Sequence, residues 1–331
     1  MKLLKILCFT IGIIGMLSAL SFGQTKLAQT GFNFLDITSD ARSSAMGNAV
    51  NSLSGFSGAL FHNPASMAEM PTLVNATFSM NTWIADINYM SASLMLSPFD
   101  GDYGAIGLSL QAIDYGEIEG TVVDRTNPNG YRDTKIHKPT AFAIGVGYAA
   151  MISEQFGVGA QVKYASQVLG ESTIMTSEGD VSVKENKANA IAFDFGTIYK
   201  TGIKSLAFGM SVRNFSKEVK YEEEGFQLPL LFIIGVSANV FDFFESPIAD
   251  QGLILSVDAT HPRSLPEQIK VGVEYQFMKI ISLRAGYISG DHEYGFNYGV
   301  GVSYFGFEFD YAYTPFGLLG DVQRFTARFS L

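Results

Sequence analysis

The sequence predicts an all-β chain: a 14-stranded antiparallel transmembrane β-barrel with a small N-terminal helical plug. Three observations predict it. Fourteen segments between Thr72 and Leu331 alternate apolar and polar residues with the period of two that belongs to strands. A leader suited to export precedes them. The composition joins 13% aromatic residues and 34 glycines to only 16% charged residues, against roughly 25% in ordinary globular chains.

The last segment carries the pattern most plainly. Val322, Phe325, Ala327, Phe329 and Leu331 alternate with Arg324, Thr326, Arg328 and Ser330. In a membrane barrel the apolar side chains meet lipid and the polar ones meet a lumen. A soluble two-sheet sandwich shares the alternation, which by itself does not say which face meets water. A final strand leaves an open edge unless it pairs with the first, and closure removes that edge.

Taken in order, the chain begins with Lys2 and Lys5 ahead of an apolar run from Ile6 to Leu20, then Ser21-Phe22-Gly23-Gln24. This is the layout of a secretory signal peptide, residues 1–23, cleaved after Gly23. The run is short against the roughly 20 apolar residues of a spanning helix. Cleavage removes the only cysteine, Cys8, and with it disulfide and thiol chemistry. It also removes Lys2 and Lys5, leaving 20 basic residues against 32 acidic and shifting the formal charge from −10 to −12. So acidic a chain, with scattered Lys and Arg, is no nucleic-acid binder.

Residues 24–71 form the plug or hatch segment. Phe32, Phe34, Leu35 and Ile37 make a short apolar lead-in, and the small residues of Ala41–Ala49 suit a compact helix. Asn63 reads as an N-cap with Pro64 at the first helical position. The segment either packs on a surface as an appendage or fills the barrel.

Residues 72–331 are the barrel. The first strands run near Leu73–Ile84 and Asn88–Leu96, and the rest follow to Leu331. An even count puts both barrel termini at the periplasm. Links after even-numbered strands are then short turns: Pro98–Asp102, Met151–Gln155, Thr201–Lys204, Met278–Lys279 and Phe305–Gly306. Gly116–His137, Glu171–Glu185 and Ser216–Gln227 follow odd-numbered strands and read as long outer loops. The first odd link, Ala85-Asp86, is short, and the eighth, Asp242–Gln251, is longish.

No nucleophile elbow, zincin motif or phosphate loop occurs, and His62, His137, His261 and His292 lack metal-ligand spacing. No catalytic residue, cofactor or metal is expected. The charges assigned to the lumen are Lys163, Asp194, Arg213, Asp258, Lys270, Glu274, Arg284, Glu308, Asp310, Arg324 and Arg328. Buried charge is costly unless paired, so this ladder is expected to pair across strands or contact a plug. The inward glycines Gly107, Gly145, Gly147, Gly272, Gly299 and Gly301 leave room for a plug or a ligand.

A further set of motifs runs through the chain: Ala41-Arg42 with Ala45-Met46-Gly47, Asn63-Pro64-Ala65, and Trp83-Ile84-Ala85-Asp86-Ile87. Leu228-Pro229-Leu230-Leu231-Phe232, His261-Pro262 with Pro266-Glu267, Gly272-Val273-Glu274-Tyr275 and Leu283-Arg284-Ala285-Gly286-Tyr287 follow. Asp310-Tyr311-Ala312-Tyr313 and Phe316-Gly317-Leu318-Leu319-Gly320, leading to Arg324-Phe325, complete the set. In these the chain resembles the PorV/PorQ outer-membrane proteins, which are similar to the FadL-type fatty-acid channels. The resemblance implies a barrel in the lipid of the bacterial outer membrane, plugged from the periplasmic side by a hatch that includes Arg42, Met46, Gly47, Asn63, Pro64 and Ala65.

It also implies a non-enzymatic binding or scaffold role in protein secretion or surface attachment through the type IX system. Secretion-machinery proteins or the C-terminal domains of cargo would be its partners. The alternative is a FadL-like channel for uptake of small hydrophobic molecules, motivated by the hatch and by Phe32, Phe34, Leu35 and Met46 beside it. A lipid-modifying enzyme has no supporting constellation.

Overall fold

The computed structural model describes residues 30–123, 127–175, 181–221, 224–244, 250–290, 295–317 and 320–331. The expected signal peptide, with Cys8, lies outside the described residues. In chain order the strands are β1 (Val74–Thr82), β2 (Asn88–Leu96), β3 (Ala105–Asp114), β4 (Ile118–Val123), β5 (Tyr131–His137) and β6 (Thr140–Met151). Next come β7 (Phe156–Met175), β8 (Val181–Lys200), β9 (Ala207–Ser216), β10 (Val219–Lys220), β11 (Gly225–Phe226) and β12 (Leu231–Asn239). Last are β13 (Gln251–Pro262), β14 (Gln268–Phe277), β15 (Ile281–Ile288), β16 (Phe296–Tyr304), β17 (Phe307–Pro315) and β18 (Asp321–Ser330).

Fourteen of these close into one barrel, in which β1 pairs antiparallel with both β2 and β18. The pairs β4–β5 and β10–β11 are small separate hairpins within the links that follow β3 and β9. The seam sets Phe78 opposite Ala327 and Met80 opposite Phe325. Val74 and Leu331 exchange backbone hydrogen bonds of 3.0 and 2.9 Å, so the final edge is closed.

The faces are inverted relative to a soluble sheet. Phe78, Leu108, Ile144, Phe195, Phe309 and Phe325 are exposed on the outer wall, while Ser79, Ser109, Asp258, Glu274 and Arg284 are buried inside. A closed ladder satisfies its own backbone, and an apolar outer wall suits hydrocarbon; together they describe a transmembrane barrel.

Two details differ from the sequence reading. Glu171–Glu185 is not a loop throughout, because β7 and β8 stay paired out to Met175 opposite Val181; polar alternation there continues a hairpin past the wall instead of ending it. Val322 belongs to the inner face and is fully buried, with Gln323 outward in its place.

The links at 97–104, 152–155, 201–206, 240–250, 278–280 and 305–306 share one end with the start of β1 and the finish of β18; we call it the near end. The far end carries the long hairpins and the links at 83–87, 263–267 and 316–320.

The segment before β1 fills the lumen. Its short helices are Asn33–Asp36, Ala41–Ala45, Ser57–Phe61 and Pro64–Glu69; Ala41–Ala45 is α-helical and the others are 3₁₀. The Asp40 carboxylate accepts from the Ser43 backbone nitrogen at 2.9 Å, and Asn63 Oδ1 accepts from the Ala65 nitrogen at 3.0 Å, each capping a helix start. The α-helix stops at Ala45, short of the expected Ala49, because Gly47 and Asn48 turn the backbone left-handed at φ 61°. Plug and wall approach so closely that a Cβ on Gly159 would stand 2.5 Å from the Ala65 nitrogen. One on Gly272 would stand 2.6 Å from the Met46 carbonyl. Of the inward glycines, Gly107, Gly147, Gly272 and Gly299 mark where the plug touches the wall, whereas Gly145 and Gly301 make room for side chains of the wall itself.

Candidate functional site: a cavity above a latched plug

The charges assigned to the lumen fall into separate groups. Glu274 on β14 is fully buried and receives Arg42 of the plug in a two-pronged contact, Nε at 2.8 Å and Nη2 at 2.9 Å. Arg284 on β15 reaches the same carboxylate at 2.5 Å and pairs with Asp310 and Glu308 on β17. Arg328 on β18 closes the group on Glu308 at 2.6 Å and Asp310 at 3.1 Å. Three guanidinium groups therefore meet three carboxylates across four strands. Arg42 and Arg328 also lie over the Phe56 ring at 4.6 and 5.2 Å. Planar fork-to-carboxylate contacts of this kind fix orientation as well as charge, which makes the group a latch for the plug.

A second group sits on β7–β9. Lys163 pairs with Asp194 at 2.7 Å and donates to Asn214 Oδ1 at 2.6 Å. Asn214 lies at a bulge with φ 59°, so Arg213 and Asn214 both turn inward where alternation would send one outward. Arg213 donates to the Leu35 carbonyl at 3.0 Å and lies 3.9 Å from Asp36. Asp258 accepts from the Asn51 nitrogen of the plug at 3.0 Å.

The other plug residues singled out from sequence serve contact. Met46 and Gly47 lie against Gly272 and Gly286, and Asn63-Pro64-Ala65 lies against Gly159 and Gly196. Inside the plug, His62 stands 3.6 Å from Asp40. Burial holds the His62 imidazole below its ordinary pKa of 6.5; Asp40 opposes this, and Arg213 and Lys270 reinforce it.

Two ladder members behave differently, and both face a cavity of about 600 Å³ at the far end, between the plug and the links. Its apolar walls include Phe34, Ile37, Trp83, Ile87, Leu265 and Phe316. Trp83 and Phe316 meet edge to face at 5.1 Å, joining the links on either side of the barrel seam. Lys270 lines this cavity at 9% exposure, with no hydrogen-bond or ion-pair partner among the described residues. Arg324 donates to Ser44 Oγ at 2.8 Å and Thr314 Oγ1 at 3.1 Å and stacks over Trp83 at 5.1 Å. Among the described residues no carboxylate forms an ion pair with it. Asp36 is the acidic residue in the lining, so two buried cations face one carboxylate.

Beneath the cavity a small pocket reaches His62 and Arg213. A second cavity of about 540 Å³ opens at the near end beside Ser54, Glu69 and Lys200. The sequence placed Lys270 and Arg324 inside but gave no means to separate them from their paired neighbours. Trp83 and Phe316 entered only as parts of motifs; the signal for Trp83 was its being the single tryptophan, set at a strand end.

No family model and no curated protein matches the sequence. Solved structures do. The toluene transporter TbuX of Ralstonia pickettii aligns with a TM-score of 0.59 at 12% identity, over 88% of this chain and 97% of that one. The toluene transporter TodX of Pseudomonas putida gives 0.57 at 12% identity, over 92% and 98%. A Pseudomonas aeruginosa FadL homologue gives 0.56 at 12% identity, over 88% and 98%. At such identities the likeness is one of fold, and the fold of this chain is that of the FadL-type outer-membrane barrels.

Proposed function

We propose that the protein is an outer-membrane channel that takes up small hydrophobic molecules, and that these bind first in the far-end cavity. The observation that carries this reading is the cavity itself: a chamber large enough for a small organic molecule, lined by apolar and polar residues in similar number, with two cations that lack ion-pair partners. Two buried cations facing a single carboxylate favour a ligand that brings an anionic or strongly accepting end. Next to the chamber, Phe32, Phe34 and Leu35 of the lead-in pack against a sector of small inward residues, among them Ala141, Ala143, Ala165 and Ala190. Withdrawal of the lead-in would leave an apolar path along that wall.

The compared structures support transport: two are toluene transporters, and another is described as a monoaromatic hydrocarbon channel. The secretion-scaffold role, with secretion-machinery proteins or cargo C-terminal domains as partners, rests on the motif resemblance alone. Placement in the bacterial outer membrane, with the near end at the periplasm, belongs to the same proposal.

Trp83 supplies the test, being the only tryptophan and part of the cavity wall. Titrating the protein in lipid nanodiscs with a medium-chain carboxylate or a small aromatic hydrocarbon should give a saturable change in its emission. Vesicles carrying the protein should accumulate the same compounds faster than empty vesicles. Unchanged emission, together with unchanged uptake, overturns the proposal.

A further inference from the structure

The two ends of the outer wall differ in a way the transport reading does not use. At the far end, outward positions beside the links are polar and exposed: Thr82, Asn88, Asp114, Thr140, Asn189 and Gln323. Charged and amide side chains there mark where the wall leaves hydrocarbon. At the near end no such boundary precedes the turns. Every link there carries a large exposed apolar side chain, represented by Phe99, Ile152, Ile203, Phe244, Met278 and Phe305. The ring passes the barrel seam through Leu73 and Leu331.

Phe305 is 83% exposed at the tip of a tight turn, and Phe99 is 72% exposed. Both, with Met278, hold a left-handed backbone (φ 46°, 55° and 51°). That conformation suits Gly or Asn in a water-exposed turn and is uncommon for bulky residues. An apolar groove of about 260 Å³ also opens on the outer face at this end, between Leu206, Val236, Val240, Phe243 and Leu255.

We propose that the near-end rim is a lipid-binding surface: its turns lie in the headgroup–acyl boundary of the adjoining leaflet, and the groove holds a lipid acyl chain. Lipid is the occupant because the outward wall positions stay apolar up to the turns, so the medium that covers Phe307 and Phe329 extends to Phe305, while the exposed charges of the turns (Asp102, Glu154, Lys204, Asp250 and Lys279) belong at its polar edge. Lys204 lies in the same turns, and its stem can follow the apolar surface while the ammonium group reaches phosphate level; Lys279, 3.8 Å from Asp250, is already paired across two neighbouring links.

The test uses the full chain in a Cys8→Ser background, with single labelling cysteines at Phe305→Cys and Ile203→Cys. Controls are Phe325→Cys at mid-wall and Asp114→Cys at the far end. Each variant carries an environment-sensitive dye in phosphatidylcholine nanodiscs, where both ends meet solution. Labels at 305 and 203 should lose most of their emission to a nitroxide placed high on the acyl chain and be reduced by dithionite far more slowly than the label at 114. Reduction as fast as at 114 places the rim in water and overturns the proposal. Protection from dithionite without nitroxide quenching means that protein, such as a second copy, covers the rim, and overturns it equally. Two sites on different turns keep the result readable if one variant fails to fold.

Discussion

Removing the charge of Glu274 tests the latch most directly. Its side chain is fully buried and accepts four hydrogen bonds: Arg42 Nε at 2.8 Å and Nη2 at 2.9 Å, Arg284 Nε at 2.5 Å, and Gln276 Nε2 at 2.9 Å. Arg284 keeps Asp310 and Glu308 when Glu274 is lost, but Arg42 has no other acceptor among the described residues. Glu274→Gln therefore leaves one buried plug guanidinium without its ion-pair partner. Breaking a buried pair from one side costs about 3–5 kcal/mol. The loss falls on plug docking, because the strand ladder does not depend on it. At 1.4 kcal/mol per tenfold, opening of the plug rises by roughly a hundred- to several-thousand-fold.

Hydrogen exchange read by mass spectrometry reports this directly, with amides 41–49 exchanging faster and the β14 amides serving as the internal reference. Adding Arg42→Gln removes the stranded cation, so the double variant should recover part of the loss, with a coupling of about 0.5–3 kcal/mol. Unchanged exchange at 41–49 in Glu274→Gln would refute the latch.

Three more outcomes follow from the same geometry. Lys270→Met should weaken a carboxylate ligand by about 1.5–3 kcal/mol, the worth of a hydrogen bond to a charged group, and leave a neutral hydrocarbon unaffected in Trp83 titrations. At the bulge, Asn214→Ala should lower the unfolding midpoint more than Asn214→Gly. Both lose the bonds to Lys163 and the Pro229 carbonyl, but only Ala adds a left-handed penalty of about 1–2 kcal/mol. For His62 the folded pKa lies below the ordinary 6.5. The unfolded chain therefore binds the proton first, and plug stability falls as pH drops below about 6.5. Protease protection of the plug between pH 8 and 5 should show this, and His62→Gln should flatten it.

The sequence alone determined the wall. Period-two alternation is local, so Phe78, Ile144 and Phe309 declared their face without reference to any partner, and the even strand count followed from counting. Caps are equally local, and Asn63-Pro64 announced its helix start through two adjacent residues. The plug's footprint was half visible: inward glycines showed where space existed, though not what filled it.

Tertiary structure alone decided how the charges are used. Glu274, Lys270 and Arg324 look alike on their strands, each a charge on an inward face. Closure brings Arg42 to Glu274 across 232 positions of sequence, whereas Lys270 and Arg324 come to face a cavity without an ion-pair partner. Pairing depends on distances between side chains far apart in the chain, and those distances exist only once the barrel has closed around its plug.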